Sequence, residues 1–291
     1  MKSNVFLKRY EKLGMKIKLD IKLEKSFRVN TLRIKENDLI KRLTKKRIKL
    51  EKVEWLDNGY IYRSYFSLGS TPEYLSGYYF LQELASQIVA EVLDPKNETI
   101  LDMTASPGAK STHIAQLMKN KGTLVCLEKN KKRSQALVNN LQRCGVKNSI
   151  VYNIDAIKVE NLNMKFDKVL LDAPCSGNFT SEEKWFEKRD LEGVQKNAKL
   201  QRELLTSAMS VLKKDGILVY STCSLEPEEN EMNIEWLMDK FNVKLETIDI
   251  KNGVDGLTKV FGNKLRPEIK KTKRFWPGET QGFFIAKIRK K

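Results

Sequence analysis

The sequence predicts an α/β protein in which a small basic α+β domain precedes a doubly wound, mostly parallel sheet of seven strands. Two observations predict this class. Short apolar runs alternate with helical patterns after residue 100, and polar or small residues follow several of these runs. The chain has 291 residues, of which 41% are hydrophobic, which is enough for one large domain and one small one.

The N-terminal domain is predicted to span residues 1–75, with Pro72 close to its end. The apolar spacing indicates a helix over residues 2–15, a strand near 27–32, a helix from Asn37, and strands near Val53 and Tyr60.

The second domain is predicted to span residues 76–291. Its seven strands are predicted at residues 100–103, 124–127, 149–152, 168–172, 217–220, 244–250 and 282–288. Helices are predicted over residues 78–93, from Lys110, and over 131–143, 199–212 and 226–240. The segments 177–195 and 253–282 are predicted to be long loops, and loops of that length near a site usually bind a ligand.

The chain carries a formal net charge of +17, and the excess is concentrated near the N-terminus. Residues 1–75 hold 19 basic and nine acidic side chains, with the densest basic cluster at 41–49. Such a cluster alone is equally consistent with a solvated helix face. A second basic stretch at 264–274 and interspersed aromatic residues favour a nucleic acid partner over a membrane surface. These aromatic residues are Phe27, Tyr60, Tyr62, Tyr65, Phe66, Phe275 and Trp276.

Several classes of protein are disfavoured by composition. The sequence has no apolar stretch of about 20 residues and no signal-peptide core at its N-terminus, so we expect a cytoplasmic protein that does not span a membrane. Its four cysteines form no CxxC pair, and His113 is the single histidine, which we interpret as structural. We therefore expect no metal site, and chemistry based on thiols, carboxylates and lysines.

A loop of small residues between the first strand and the next helix is predicted to bind a cofactor. It comprises Thr104, Ala105, Ser106, Pro107, Gly108, Ala109 and Lys110. Small side chains allow the backbone to approach a ligand, and the helix start offers free N–H groups. The loop has one glycine instead of the three of a dinucleotide fingerprint, and it lacks the Gly-Lys-Ser/Thr ending of a P-loop. Phosphate binding is therefore not favoured.

Carboxylates at successive strand ends suggest which cofactor this is. Glu128 follows the second strand, where an acidic side chain can accept hydrogen bonds from ribose hydroxyls. Asp155 follows the third strand and suits an adenine amino group, and Asp102 ends the first strand near the position expected for an ammonium group. Jointly, at three consecutive strand ends, these carboxylates favour S-adenosylmethionine. Arg133 and Asp172 are also predicted to bind the cofactor.

Two thiols and a carboxylate are predicted at neighbouring strand ends. Cys223 lies just past one apolar strand, and Asp172 and Cys175 follow the strand beside it. Open α/β sheets expose residues to ligands at this position, which makes Cys223 a candidate nucleophile and not a core residue.

At these motifs the sequence resembles the Sun (Fmu) family of RNA cytosine-5 methyltransferases. The resemblance is carried by the segments 27–33, 102–110, 171–177, 220–224, 228–231 and 274–284, and it extends over nearly the whole chain. It implies a Rossmann-like class I methyltransferase fold, S-adenosylmethionine as cofactor, and transfer of a methyl group to carbon 5 of a cytosine in RNA. Transfer RNA is the first expectation and ribosomal RNA the second. A monomer is expected, with an accessory protein left open.

The resemblance also implies roles for particular residues. Cys223 would attack carbon 6 of the base, Cys175 would assist product release, and Asp172 would contact ring nitrogen 3 and the exocyclic amine. Lys110 would order the cofactor loop or approach Asp172. We expect the N-terminus of a helix at Glu226 to favour the thiolate form of Cys223.

The chain departs from the commoner family pattern at three positions. Thr104 stands where many members have cysteine or alanine, Ala109 replaces a second glycine, and Gly278 replaces a frequent histidine. The last change affects contacts with substrate or product more than the reaction.

Four other classes of protein remain as alternative interpretations of the same residues. An amino-group methyltransferase would have Asp/Asn-Pro-Pro-Tyr/Phe at 172–175, and a DNA cytosine methyltransferase would use Cys175 alone. A dinucleotide oxidoreductase would need a glycine-rich loop. A non-catalytic RNA-binding factor would not need both thiols.

Overall fold

The structure is a computed structural model that describes residues 2–16 and 18–291. Its helices are α1 (Lys2–Lys12), α2 (Glu36–Lys45), α3 (Pro72–Leu75), α4 (Leu84–Leu93), α5 (Ala109–Leu117), α6 (Lys131–Arg143), α7 (Trp185–Lys188), α8 (Leu191–Val211) and α9 (Glu231–Lys240). Short 3₁₀ segments lie at Leu68–Ser70, Ala156–Leu162 and Pro267–Lys271.

Fifteen strands are described in this part of the chain. They are β1 (Ser26–Val29), β2 (Lys49–Lys52), β3 (Gly59–Arg63), β4 (Tyr79–Leu81), β5 (Thr99–Asp102), β6 (Thr123–Leu127), β7 (Ser149–Tyr152), β8 (Phe166–Asp172), β9 (Leu212–Thr222), β10 (Val243–Glu246), β11 (Val254–Asp255), β12 (Lys259–Val260), β13 (Asn263–Lys264), β14 (Lys273–Phe275) and β15 (Phe283–Lys290).

The large sheet confirms the predicted α/β class. Strands β7, β6, β5, β8 and β9 lie side by side in parallel, and β15 joins β9 in the antiparallel direction. All seven predicted strands belong to this sheet. It has nine strands in total, because β14 and β10 both pair antiparallel with β15 and β11 adds to β14. The parallel strands end together, so the residues that follow them meet at one edge.

Alternation along the buried strands creates two cores. Ile100, Leu124 and Val219 face the core shared with α4, α5 and α6, whereas their neighbours Leu101 and Val125 face the opposite core. The second core is closed by α8 and α9. Because successive side chains of a strand point to opposite faces, apolar runs without polar alternation predict a sheet that is covered on both sides. The structure confirms the doubly wound arrangement.

The N-terminal part forms a four-stranded antiparallel sheet in the order β2, β3, β1, β4. The prediction of one helix over residues 78–93 is wrong at its start, because Tyr79–Leu81 is strand β4 and α4 begins only at Leu84. Tyr79 and Phe80 pack with this sheet, and their pairing with β1 overrides the helical spacing of the sequence. The small sheet thus reaches beyond residue 75, and the division into domains at that residue stays a prediction.

Helix α8 begins earlier than predicted. It starts at Leu191, eight residues before the predicted start at 199, because the Asp190 side chain caps it by accepting a hydrogen bond from the Gly193 N–H at 2.8 Å. The predicted loop 177–195 therefore contains α7 and the first turn of α8.

Helix α9 begins later than predicted. It starts at Glu231 and not at Glu226, because Asn230 adopts φ −114° and ψ −106°, outside the helical region. Residues 226–230 form a turn whose side chains bind other parts of the molecule.

Three further predicted boundaries differ from the structure. The helix at the N-terminus ends at Lys12, and the predicted strand 244–250 is observed only as β10. The predicted loop 253–282 contains β11 to β14 and a 3₁₀ segment.

Helix α1 packs on the large domain, although it comes first in the chain. Phe6 lies against Trp185 with ring centroids 4.7 Å apart, and both side chains are buried with Tyr10. Arg9 donates hydrogen bonds to Glu226 at 3.0 Å and to Glu228 at 2.6 Å. Helix α1 thus binds the segment that follows Cys223.

The interpretation of aromatic residues as nucleic acid contacts is wrong for most of them. Phe27, Tyr60, Tyr62 and Phe275 are buried and fill cores. Tyr65 and Phe66 are exposed and Trp276 is half-buried, so only these three remain accessible to a partner. Among the described helices, none combines the length and apolar character that crossing a membrane requires.

Candidate active site

A cavity of about 330 Å³ opens at the carboxyl ends of the parallel strands. Both predicted thiols and the carboxylates of Glu128, Asp155 and Asp172 line it. Its remaining lining residues are Met103, Thr104, Ser106, Leu127, Lys129, Arg133, Ala156, Ala173, Pro174, Leu200 and Leu204. The structure therefore brings the residues predicted from five separate strand ends to one wall, as expected for an α/β sheet.

The loop 104–110 forms one side of the cavity. Gly108 has φ +107°, a conformation that L side chains rarely adopt, and it precedes the first residue of α5. Only Thr104 and Ser106 of the loop line the cavity, whereas the backbones of the other residues shape the turn. Thr104 Oγ1 donates to the Asp172 carbonyl oxygen at 2.8 Å, which ties the loop to β8.

Asp102 holds this loop through hydrogen bonds and does not line the cavity. Its carboxylate accepts hydrogen bonds from Ser111 Oγ at 2.7 Å and from the Thr104 N–H at 3.3 Å. Burial raises the pKa of Asp102 to about 6, although the bond from Ser111 opposes the rise. Both oxygens of Asp102 thus hold the loop, and the expected place of Asp102 near an ammonium group stays a prediction.

Arg28 fixes α5 from the other side. Its fully buried guanidinium donates to Thr112 Oγ1 at 2.9 Å, to Gln82 Oε1 at 3.3 Å and to Gln116 Oε1. Burial lowers the pKa of Arg28 to about 10, so it is still charged at neutral pH. The N-terminal sheet thereby holds the helix that carries Lys110.

The acidic side of the cavity is formed by Glu128 and Asp155. Glu128 is 5% exposed, accepts from the Asn130 N–H at 2.8 Å through Oε1, and has Oε2 3.6 Å from Arg133 Nε. Asp155 accepts from the Ile157 N–H at 3.1 Å through Oδ1. In each carboxylate, a hydrogen bond to one oxygen thus fixes the orientation of the group. The second oxygen makes no short hydrogen bond within the described chain.

The two thiols lie in contact on the opposite side. Cys175 Sγ and Cys223 Sγ are 3.3 Å apart, and both side chains are half-buried and free. The hydrogen bond from Cys175 lowers the pKa of Cys223, and Lys110 acts in the same direction against burial and Asp172. The same bond, burial and the nearby Glu229 raise the pKa of Cys175. The contact between the sulfurs therefore favours a thiolate on Cys223 over one on Cys175.

Lys110 and Asp172 form an ion pair beside the thiols. Lys110 Nζ lies 2.6 Å from Asp172 Oδ2, and Ser221 Oγ donates to Oδ1 at 2.8 Å. Burial would lower the pKa of Lys110, but the charge and hydrogen bond of Asp172 outweigh it and raise that pKa. The sequence predicted that Lys110 would either order the cofactor loop or approach Asp172, and the structure shows the contact with Asp172.

The helix start predicted to activate Cys223 is not found at Glu226, since α9 begins five residues later. The Glu226 side chain is instead buried against Arg9. The pKa of Cys223 is lowered instead by its contact with Cys175 and by the charge of Lys110, which come from other parts of the chain.

His113 is fully buried on α5, and burial lowers its pKa well below the usual value. It lies outside the cavity lining. Among the described residues, no group of three or more His, Cys, Asp and Glu side chains is arranged to hold a metal ion.

Sequence reasoning missed the residues that support the thiols. Glu229 and Asn230 are fully buried and bind the segments around both cysteines. The sequence contained a signal for them, namely the run of four polar residues at 228–231, which lies close to the candidate nucleophile in the chain. Nothing in the sequence showed that they lie in the interior.

The parallel strand order, the small-residue turn after β5 and the acidic residue after β6 define a class I methyltransferase of the S-adenosylmethionine-dependent type. Comparisons agree with this class. Residues 90–289 match the family described as 16S rRNA methyltransferase RsmB/F, and residues 6–84 match the N-terminal domain of 16S rRNA methyltransferase RsmF. The chain belongs to the RsmB/F methyltransferase family.

Individual relatives include proteins of similar size. A tRNA (cytosine(49)-C(5))-methyltransferase of Pyrococcus abyssi is 37% identical over 92% of this chain and 88% of its own. The crystal structure of a methyltransferase homolog protein from Pyrococcus horikoshii is 40% identical, with a TM-score of 0.87 and 99% of each chain covered. The structure of NSun6 from Pyrococcus horikoshii with SFG, an S-adenosylmethionine analogue, is 30% identical, with a TM-score of 0.84, 99% of this chain and 96% of that chain.

Other relatives are much longer. The chain spans about a third to a half of the length of several curated relatives that it matches.

Proposed function

We propose that this protein transfers a methyl group from S-adenosylmethionine to carbon 5 of a cytosine in RNA, most readily in tRNA. The observation that carries the proposal is the pair of thiols 3.3 Å apart on the wall of a cavity that also presents Glu128 and Asp155. A methyltransferase acting on a nucleophilic nitrogen needs neither thiol. Carbon 5 of cytosine is a poor nucleophile, so its methylation needs covalent activation.

The residues on the cavity wall fit S-adenosylmethionine. Glu128 Oε2 offers an acceptor for ribose hydroxyls, and Asp155 offers one for an adenine amino group. Leu127, Ala156 and Leu200 supply apolar surface for the base. The bound cofactor supplies an electrophilic methyl group on a sulfonium. Support for this cofactor also comes from the analogue bound in the similar NSun6 structure.

Cys223 is the proposed nucleophile because it ionises more readily than Cys175. Its thiolate adds to carbon 6 of the cytosine, and carbon 5 then has the electron density of an enamine and accepts the methyl group. The charge of Lys110 lowers the pKa of Cys223 and so stabilises its thiolate, whereas Glu229 raises the pKa of both thiols.

Cys175 and Asp172 complete the proposed reaction. Asp172, held by Lys110 and Ser221, is positioned to bind ring nitrogen 3 and the exocyclic amine of the cytosine. After methyl transfer, carbon 5 loses its proton to solvent water and the Cys223 thiolate is eliminated. Cys175 assists this release, as its contact with Cys223 places it beside the bond that breaks.

An RNA substrate is supported by charge. Helix α2 and β2 carry exposed lysines and arginines of the cluster 41–49, which suit phosphate contacts that do not read sequence. We assign residues 1–75 to RNA binding and 76–291 to catalysis. The target base must leave its stack to reach the strand ends. We further propose that the protein acts as a monomer, and a tRNA substrate implies action in the cytoplasm.

Transfer RNA is preferred because the similar Pyrococcus abyssi protein, named for tRNA position 49, matches this chain over nearly its full length. Ribosomal RNA is the second candidate, since the matching family is described by 16S rRNA.

The experiment that tests the proposal is transfer of radiolabelled methyl from S-adenosylmethionine to total tRNA and to rRNA, followed by nucleoside analysis. The expected product is 5-methylcytidine in tRNA. Label in 5-methylcytidine of rRNA alone would select the second candidate. Label in any other nucleoside, or none in either RNA despite cofactor binding, would contradict the proposal.

A further inference from the structure

The two thiol-bearing loops are joined by one buried carboxylate. Glu229 is fully buried, and its oxygens accept hydrogen bonds from three segments of the chain. The Ser176 N–H donates to Oε2 at 3.0 Å and Ser176 Oγ donates to Oε1. Ser224 Oγ donates to Oε1 at 3.0 Å. Ser176 directly follows Cys175 and Ser224 directly follows Cys223, so a single side chain binds the neighbour of each thiol.

A second layer of contacts extends this arrangement to the other side of Cys175. Gln201 Nε2, from α8, donates to Glu229 Oε2 at 2.7 Å and to the Pro174 carbonyl oxygen at 2.9 Å. Cys175 is therefore flanked on both sides by residues tied to Glu229, directly or through Gln201.

Asn230 binds the chain neighbours of Cys223 on both sides. Its Oδ1 accepts from Thr222 Oγ1 at 2.6 Å, and its Nδ2 donates to the Ser224 carbonyl oxygen at 2.9 Å. These two residues flank Cys223 in the chain. Glu229 and Asn230 thus hold both loops from beneath, while the thiols face the cavity.

Burying a carboxylate without an ion pair is costly unless hydrogen bonds satisfy it. Burial raises the pKa of Glu229, and the bonds from Ser176, Gln201 and Ser224 oppose that rise. An apolar side chain would fill the same space at lower cost, but it would join neither loop. The arrangement therefore has a role in placing the thiols.

We propose that Glu229 is a positioning residue that sets the separation of the two thiols by binding the residue after each cysteine. The inference rests on the proposed function for its catalytic consequence, but the separation itself can be measured without any RNA. Because Glu229 does not touch the cavity, it acts through Ser176 and Ser224.

The test uses the full chain carrying Glu229→Gln, with Glu228→Gln as the matched control. Glu228 is the preceding residue, and among the described residues its side chain bonds to Arg9 alone. An amide at 229 has one acceptor oxygen in place of two, so it cannot serve all the donors. The first readout is formation of a Cys175–Cys223 disulfide on addition of diamide, which accepts the two electrons and two protons that the thiols release.

Disulfide formation requires the sulfurs to close from 3.3 Å to about 2.05 Å, so its rate reports thiol placement. We expect Glu229→Gln to slow it about tenfold or more and Glu228→Gln to leave it unchanged. In methyl transfer, we expect kcat to fall by on the order of 100-fold in Glu229→Gln, with the KM values for cofactor and RNA unchanged.

Ser224→Ala is the milder second variant if Glu229→Gln does not fold. It removes one of the bonds and should reduce both rates in the same direction by less. The inference is overturned if disulfide formation in these variants matches that of Glu228→Gln, whatever the methyl transfer result. If no RNA accepts methyl groups from the wild type, the proposed function fails, and the disulfide rates still decide the role of Glu229.

Discussion

Lys110 Nζ lies 2.6 Å from Asp172 Oδ2, across 62 residues of sequence and at the edge of the cavity that holds both thiols. The pair joins the first residues of α5 to the end of β8. It has two effects, since it orients the Asp172 carboxylate and supplies a positive charge that lowers the pKa of Cys223. The cofactor loop and the nucleophile are thereby linked through one lysine.

Replacing Lys110 should therefore alter both the rate and its pH dependence. Lys110→Met removes a positive charge that lowers the pKa of Cys223, so that pKa rises and the thiolate forms only at higher pH. We expect kcat/KM to fall about 100-fold at neutral pH, and the acidic limb of its pH profile to move to higher pH. Steady-state kinetics between pH 6 and 9 measure both effects.

Lys121→Met is the matched control, because Lys121 is exposed beyond the end of α5 and distant from the cavity lining. A Lys110→Met profile with lower activity and an unmoved acidic limb would show that Lys110 does not act on Cys223.

Glu128→Gln should weaken cofactor binding without changing the fold. The amide oxygen can still accept from the Asn130 N–H, but the charge directed at the ribose is lost. A hydrogen bond to a charged group contributes about 1.5–3 kcal/mol, which corresponds to an increase of about 10- to 150-fold in Kd. Isothermal titration with S-adenosylmethionine measures it, with the exposed Glu160→Gln as control. An unchanged Kd would contradict the assignment of Glu128 to the ribose.

Arg9→Ala should destabilise the protein in a pH-dependent way. Arg9 is the partner of Glu226, whose carboxylate is fully buried. Burial raises the pKa of Glu226 to about 7, and Arg9 opposes that rise. A carboxyl group whose pKa is raised by folding favours the folded state below its unfolded pKa of about 4.3 and loses that contribution as pH rises through the folded value.

Without Arg9 the charged form of Glu226 has a less favourable environment. The loss in unfolding free energy should therefore be small at pH 5.5 and grow to about 3 kcal/mol at pH 8.5. Urea unfolding at the two pH values measures it, with Lys8→Ala on the exposed face of α1 as control. An equal loss at both pH values would show that the ion pair is not the cause.

Much of the fold follows from local patterns. The strand ending at Asp102, the turn at Gly108 and the helix over Lys131–Arg143 depend on residues close in sequence, and they are predicted within a residue or two. The thiols and carboxylates meet because parallel strands end at one edge, which is a property of the fold class. Their approximate proximity could therefore be predicted.

Other features depend on partners distant in the chain. Tyr79 has the spacing of a helix, but it pairs with Val29 in a sheet. The helix predicted from Glu226 begins only at Glu231, and the Glu226 side chain binds Arg9, which lies 217 residues earlier. Phe27 is an aromatic residue in a basic region, as expected of a residue that stacks on bases, yet its side chain fills a core. Sequence patterns do not specify such long-range contacts, which decide whether a residue is buried.

The most direct test of covalent catalysis is to trap the enzyme on its RNA. Cys175→Ala lacks the thiol that assists release, so incubation with S-adenosylmethionine and substrate RNA should accumulate a protein–RNA adduct. Peptide mass spectrometry should locate it at Cys223. Cys144→Ala, which removes a buried thiol outside the cavity, should form no such adduct. Cys223→Ala should bind the cofactor and transfer no methyl group. An adduct at another residue, or full methyl transfer by Cys223→Ala, would contradict the account.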